Sequence, residues 1–172
     1  MLQIRFTFLR YHLSSKESAM KKLLFLLLLT LGLHAEENAK VVIDLTTGDL
    51  HTFESKILKG IVAHKAYYEG KLRELDVAVI IHGKAYKFFV KDPAHSPFKE
   101  DKALAAAAGE LSKRIASLAD TYDVAFLMCR SGMDKQKLDT KDVYDFVTTV
   151  PNAGVGLIDK QNEGYAYLPV GD

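Results

Sequence analysis

The sequence has a single cysteine among its 172 residues, so no internal disulfide is available. The fold therefore stands without cross-links, and Cys129 must be buried, paired between chains, or used. Charge of either sign is not in excess: 23 Lys and Arg stand against 22 Asp and Glu. No basic surface dense enough for nucleic acid is expected from that balance. His51, His64 and His95 have no ligand spacing with one another, and there is no second cysteine to join them. No metal site is read from such a set. The turn Thr46-Thr47-Gly48-Asp49 holds one glycine, too few for a phosphate-binding loop. A Gly-x-Ser-x-Gly elbow is missing, which leaves serine hydrolase chemistry without support. Nothing in the chain calls for an organic cofactor. Internal repeats, linkers and low-complexity segments are absent as well.

The one long apolar run is Leu23 to Leu33, eleven residues without a charge. Lys21 and Lys22 precede it, and His34-Ala35 and the acidic Glu36-Glu37 follow. That order is a secretory signal peptide over residues 20–35, with cleavage expected after Ala35. As a helix the run rises about 16 Å, short of the ~30 Å of a bilayer core. With no cysteine after it, lipid attachment there is excluded. Met20 is an ideal start, so residues 1–19 read as an over-extended gene start. Removing residues 1–35 takes away five basic residues and one acidic residue, leaving 18 against 21. Residues 36–172 are expected to form one exported, periplasmic domain with no stable membrane span.

Within that domain, Val41–Leu45 and Val77–Ile81 are β-branched runs bounded by turn residues, and Val124–Met128 is a third apolar run. Helical spacing of Phe53, Ile57, Ile61, Tyr68, Leu72 and Leu75 predicts a helix over about 52–75. Leu104, Ala108, Leu111, Ile115 and Leu118 step by four and three, the clearest amphipathic pattern in the chain. Short helices are expected over 84–90 and 140–146, a loop over 130–133, and further strands over 147–150 and 165–168. A helix opened by Pro151-Asn152 and ended at Gly164 lies between those two strands. Alternating strands and helices give an α/β fold whose mostly parallel sheet is covered on both faces. Tyr67, Tyr68, Tyr86, Phe88 and Phe89 read as core or subunit-interface packing.

Ligands in such folds bind beyond the carboxyl ends of the strands. Three strand ends carry chemistry: Asp44 and Thr46–Asp49, His82-Gly83, and Cys129-Arg130. Cys129 is the sharpest candidate, since a thiolate is a nucleophile and the adjacent Arg130 is a cation that favours it. The bland alternative is a small buried hydrophobe closing the strand. His82 is the candidate base or proton shuttle, or else a histidine satisfied at a strand end.

Val79-Ile80-Ile81-His82-Gly83-Lys84-Ala85 resembles the strand-then-His-Gly segment of the DsrE/DsrF-like proteins. Phe126-Leu127-Met128-Cys129, Val150-Pro151-Asn152-Ala153 and Gln161 to Tyr167 resemble their C-terminal half. The resemblance implies a three-layer α/β/α domain with a parallel five-stranded sheet, and assembly into trimers or hexamers. It also implies a persulfide carried on the strand-end cysteine, here Cys129, with a supporting role for His82. A non-catalytic oligomeric module binding a small ligand or partner, and a one-cysteine peroxidase, remain as other readings.

Overall fold

Strand β1, Ala39–Leu45, is a β-branched stretch whose later residues are buried on both faces. A computed structural model of the chain describes residues 38–172, of which β1 is the first element. The gene-start segment and the signal peptide expected over 1–35 lie outside the described residues. After β1, Asp49 accepts a hydrogen bond from the Thr52 backbone N–H at 2.7 Å and starts helix α1. This helix runs through Leu50–Thr52, a π-helical stretch Phe53–Lys59, and Gly60–Glu69.

Helix α1 is shorter than the spacing predicts. Leu72 is fully outside it, in a left-handed turn at φ 57° and 98% exposed. Leu75 instead opens strand β2, Leu75–Ile81. A tight turn ending a helix leaves its next apolar residues on the same 3.6 rhythm by coincidence, which periodicity alone does not detect. The segment after β2 forms one 3₁₀ stretch, Ala85–Phe89, with four of its five residues buried.

Helix α2, Lys102–Asp120, follows the predicted pattern, burying Leu104, Leu111, Ile115 and Leu118. Each such side chain stabilises the fold by about 1.5–3 kcal/mol relative to exposure. Asp101 caps the helix, accepting from the Leu104 N–H at 2.9 Å. Lys87 bonds the same carboxylate at 2.7 Å, and chiefly that bond holds it below the usual carboxylate range. Strand β3, Val124–Cys129, passes directly into helix α3, Arg130–Gln136, where a loop was expected. Ser131-Gly132 reads as a turn by composition, but the strand end itself supplies the N-cap, and Met133 docks the helix in the core. The helix expected over 140–146 is a single 3₁₀ turn, Thr140–Asp142, before strand β4, Val147–Val150. Asn152 then caps helix α4, Ala153–Asn162, through the Val155 N–H at 3.0 Å. Strand β5, Ala166–Val170, ends the order.

All five strands are parallel, in the order β4-β3-β2-β1-β5. The chain steps one way from β1 to β4, then returns beneath the whole sheet to β5. Right-handed crossovers put α1 and α2 on one face and α4 on the other. The result is three layers of unequal thickness. On the α1–α2 face, Phe53, Phe88, Phe89 and Phe126 join the large buried cluster, with Phe53 stacked on Phe88 at 4.2 Å. On the α4 face the buried cluster is Val42, Ala78 and Ile80 under Leu157 and Tyr165. The aromatic set divides accordingly: Tyr86, Phe88 and Phe89 are core, whereas Tyr67 is 58% exposed. Among the described residues no helix is long and apolar enough to cross a membrane.

Candidate functional site

Parallel strands bring every carboxyl end to one edge, and that edge holds all three predicted site residues. Ile81 and Met128 are partners across β2 and β3, so His82 and Cys129 are the next residues along neighbouring strands. Backbone bonds fix the loops there. His82 N–H donates to the Leu45 carbonyl at 3.1 Å, and Ser131 N–H to the Pro151 carbonyl at 3.2 Å.

Cys129 has both sequence attributes at once: it closes the strand in the apolar core, 7% exposed, and it is the N-cap of α3. Arg130 does not converge on it. Its guanidinium lies 3.4 Å from Asp134, one turn along α3, on the exposed surface of that helix. A cation adjacent in sequence is carried away by the helical rotation.

Tyr86 meets the strand end at the Cys129 backbone. Its hydroxyl donates to the Cys129 carbonyl at 2.9 Å, and the side chain is 2% exposed. Burial, first, and then its interactions with Cys129 push the phenol far above its ordinary value, so it remains a neutral donor. Gly132 makes room for this: a Cβ there would collide with the Tyr86 hydroxyl.

His82 is held from the other side. Its Nε2 lies 2.5 Å from Asp44 Oδ1, while Tyr167 donates its hydroxyl to Asp44 Oδ2 at 2.6 Å. A carboxylate only accepts, so Nε2 carries the hydrogen and Nδ1 is the basic nitrogen of the neutral ring. By accepting the phenol's hydrogen bond, Asp44 raises the Tyr167 pKa. Among the described residues no hydrogen bond joins His82 to the Cys129 sulfur. Sequence reasoning placed Asp44 at a strand end without a role, read Tyr86 only as packing, and gave no role to Tyr167. The Tyr86 and Tyr167 bonds span 43 and 123 residues of chain, beyond any local pattern.

Two further features border this machinery. A cleft of about 420 Å³ on the same edge is lined by Gly48, Gly83, Lys84, Lys87, Gln136 and Asp172, among others. A larger one, about 530 Å³, lies around Arg73, Asp76 and Tyr122, at the opposite ends of the strands. The first fits the strand-end rule for ligands. Among the described residues no cluster of three or more His, Cys, Asp or Glu has a metal-holding arrangement.

Known proteins can now be set beside this geometry. An uncharacterized protein of Aquifex aeolicus (strain VF5) is 30% identical over 151 residues. That alignment covers 87% of this chain but 64% of the Aquifex protein, so this chain spans less than two thirds of that relative. The solved structure of MTH1491, a protein of unknown function from Methanobacterium thermoautotrophicum, superposes with a TM-score of 0.56 at 19% identity. It covers 77% of this chain and 99% of that one, a likeness of fold. The model of the DsrE/DsrF-like family matches residues 40–170, from the second residue of β1 to the last of β5. This chain belongs to the DsrE/DsrF-like family.

Proposed function

We propose that this protein handles sulfane sulfur, carrying it as a persulfide on Cys129. One observation carries the reading: the only cysteine closes β3 on the ligand edge, one strand from His82, in a chain of a family tied to sulfur relay. The Cys129 thiolate attacks the outer sulfur of a polysulfide or thiosulfate. A Cys–S–S bond forms, the donor's S–S bond breaks, and its electron pair leaves with the remaining sulfide or sulfite. His82 takes the thiol proton through Nδ1, steadied by Asp44. The neutral Tyr86 hydroxyl holds the Cys129 carbonyl and so fixes the strand end that presents the thiol. Burial of the thiol selects small donors. No cofactor or metal enters.

Mass spectrometry of the protein after polysulfide treatment tests this. A persulfide on Cys129 that is lost in Cys129→Ser is expected. Equal sulfur uptake by that variant would overturn the reading. A second reading, a binding module with a structural cysteine, is favoured by the placement of Cys129 in the main apolar cluster. Labelling separates the two. A native thiol that reacts only after denaturation belongs to the binding module.

The residue order over 20–35 supports action outside the cytoplasm, and export assays on a fusion to those residues test it. Self-association is supported by Val155, Ile158 and Tyr167, exposed apolar side chains of α4 and β5. Light scattering that finds a strict monomer at micromolar concentration would contradict a trimer or hexamer.

A further inference from the structure

A second set of groups on the strand-end edge belongs to neither Cys129 nor His82. Thr47 is 0% exposed. Its hydroxyl accepts from the Asp49 backbone N–H at 3.0 Å. The hydroxyl proton is therefore aimed the other way, where it meets Asp172 Oδ1 at 2.5 Å. The Gly48 N–H donates to the same oxygen at 3.2 Å. Lys84 Nζ donates to Asp172 Oδ2 at 2.7 Å. A buried hydroxyl, a backbone N–H and an ammonium thus converge on one small anionic group.

Three glycines, Gly48, Gly83 and Gly171, let them converge. A Cβ on Gly48 would lie 2.8 Å from Lys84 Cβ, and one on Gly171 would lie 2.9 Å from Thr46 Oγ1. Gly83 adopts φ +65° against the Thr46 carbonyl, which accepts from Lys84 N–H at 3.0 Å. The anion they hold faces solvent: Asp172 is 42% and Lys84 74% exposed, and both line the 420 Å³ cleft. Asp49, the other carboxylate of that cleft, is occupied in capping α1 through Thr52 N–H. The Lys84 and Thr47 bonds hold the Asp172 carboxyl down at about 2, so it is ionised at neutral pH.

We propose that Thr47, Gly48 and Lys84 form an oxyanion cradle that the Asp172 carboxylate fills in cis, and that a small tetrahedral oxyanion binds there when Asp172 turns out. Two carboxylate oxygens on three donors reproduce part of the shape of sulfate, thiosulfate or phosphate. An internal ligand weakens an external one by the fraction of time it vacates the site. If Asp172 fills the cradle about nine-tenths of the time, outside anions bind about tenfold more weakly. The cradle does not depend on Cys129, so Cys129→Ser keeps it whatever becomes of the sulfur-carrier reading.

Titration calorimetry on the full chain with sulfate, thiosulfate and phosphate, at constant ionic strength, tests the proposal, with the Gly48 amide followed by NMR. Asp172→Ala is expected to bind one anion about tenfold more tightly than the unmodified protein. The Gly48 amide should shift at saturation, and the added Lys84→Ala should remove binding. Equal affinity with and without Asp172 would overturn occupancy in cis. A folded Asp172→Ala that binds none of the three anions, or binds one without moving Gly48, would overturn the cradle itself. Should the alanine variant not fold, Asp172→Asn keeps the side-chain shape and is held to the same outcomes.

Discussion

The two faces of the sheet are built for different work. On the α1–α2 face, side chains from every layer close into one dry cluster, with Phe126 between the rings of Phe89 and Phe146 at 5.3 and 5.8 Å. On the α4 face, a ten-residue helix spans five strands and buries little beneath it. Near the strand ends that thin cover gives way to polar side chains, and Asp44, His82 and Tyr167 join there. Stability is concentrated where water is excluded, and the Asp44, His82 and Tyr167 group sits where the cover is thin. Return of the chain from β4 to β5 imposes the difference, because only one crossover runs on that face.

Substitutions in matched positions can break this comparison. Phe126→Ala removes a ring from the dry face and is expected to cost about 3–5 kcal/mol. Leu127→Ala, its neighbour pointing to the α4 face, is half-buried and should cost under about 2 kcal/mol. Urea unfolding measures both. Equal losses would mean that the thin face carries as much of the stability as the thick one.

The next effect concerns the contact of Tyr86 with the strand end. Gly132→Ala forces a methyl group onto the Tyr86 hydroxyl and is expected to cost about 1–3 kcal/mol. Tyr86→Phe removes the donor to the Cys129 carbonyl, for about 1 kcal/mol. The two residues touch, so the double variant should cost less than the sum, because phenylalanine removes the nearest clash although its ring Cζ would still lie 2.6 Å from the methyl. Tyr86→Phe should also slow sulfur uptake on Cys129 by about tenfold, because the strand end that presents the thiol is no longer held in place. Unchanged uptake would leave Tyr86 a packing residue only.

A smaller effect follows from pH. Tyr167 has its pKa raised above 10.0, chiefly by the Asp44 hydrogen bond. The folded state then keeps the phenol proton longer than the unfolded chain does. The associated stability is fully present below about pH 10 and is lost as pH climbs through the raised value. Asp44→Asn is expected to flatten that alkaline loss in denaturation curves taken either side of pH 10. An unaltered slope would place the loss on another group.

Much of the architecture was legible. Val77–Ile81 and Val124–Met128 read as buried strands because runs apolar on both faces suit a central parallel sheet. The stepping of Leu104 to Leu118 marked α2, and the position of Cys129 and His82 on one edge followed from parallel strands alone. What did not read was anything set by rotation or return. Arg130 sits next to Cys129 in sequence and beside Asp134 in space. Ser131-Gly132 looks like a loop, yet Gly132 is helical, and its lack of a Cβ leaves space for a tyrosine from the β2–α2 connection. The unequal cover of the two faces depends on strand order, which no segment of the sequence announces.

Arg130 provides the smallest and most discriminating test of the wet edge. Read from sequence, its charge should favour the Cys129 thiolate, and Arg130→Gln should blunt the thiol. In the structure the guanidinium is half exposed and spends its charge on Asp134, an i,i+4 surface pair. Such pairs contribute about 0.3–0.5 kcal/mol and are screened by salt. Arg130→Gln should therefore shift stability by no more than about 0.5 kcal/mol and leave alkylation of Cys129 within about twofold. That result, set beside a strong effect of Tyr86→Phe, would assign control of the thiol to the buried neutral donor. A large loss of thiol reactivity in Arg130→Gln would return that control to the cation and require the guanidinium to leave Asp134 when the thiolate forms.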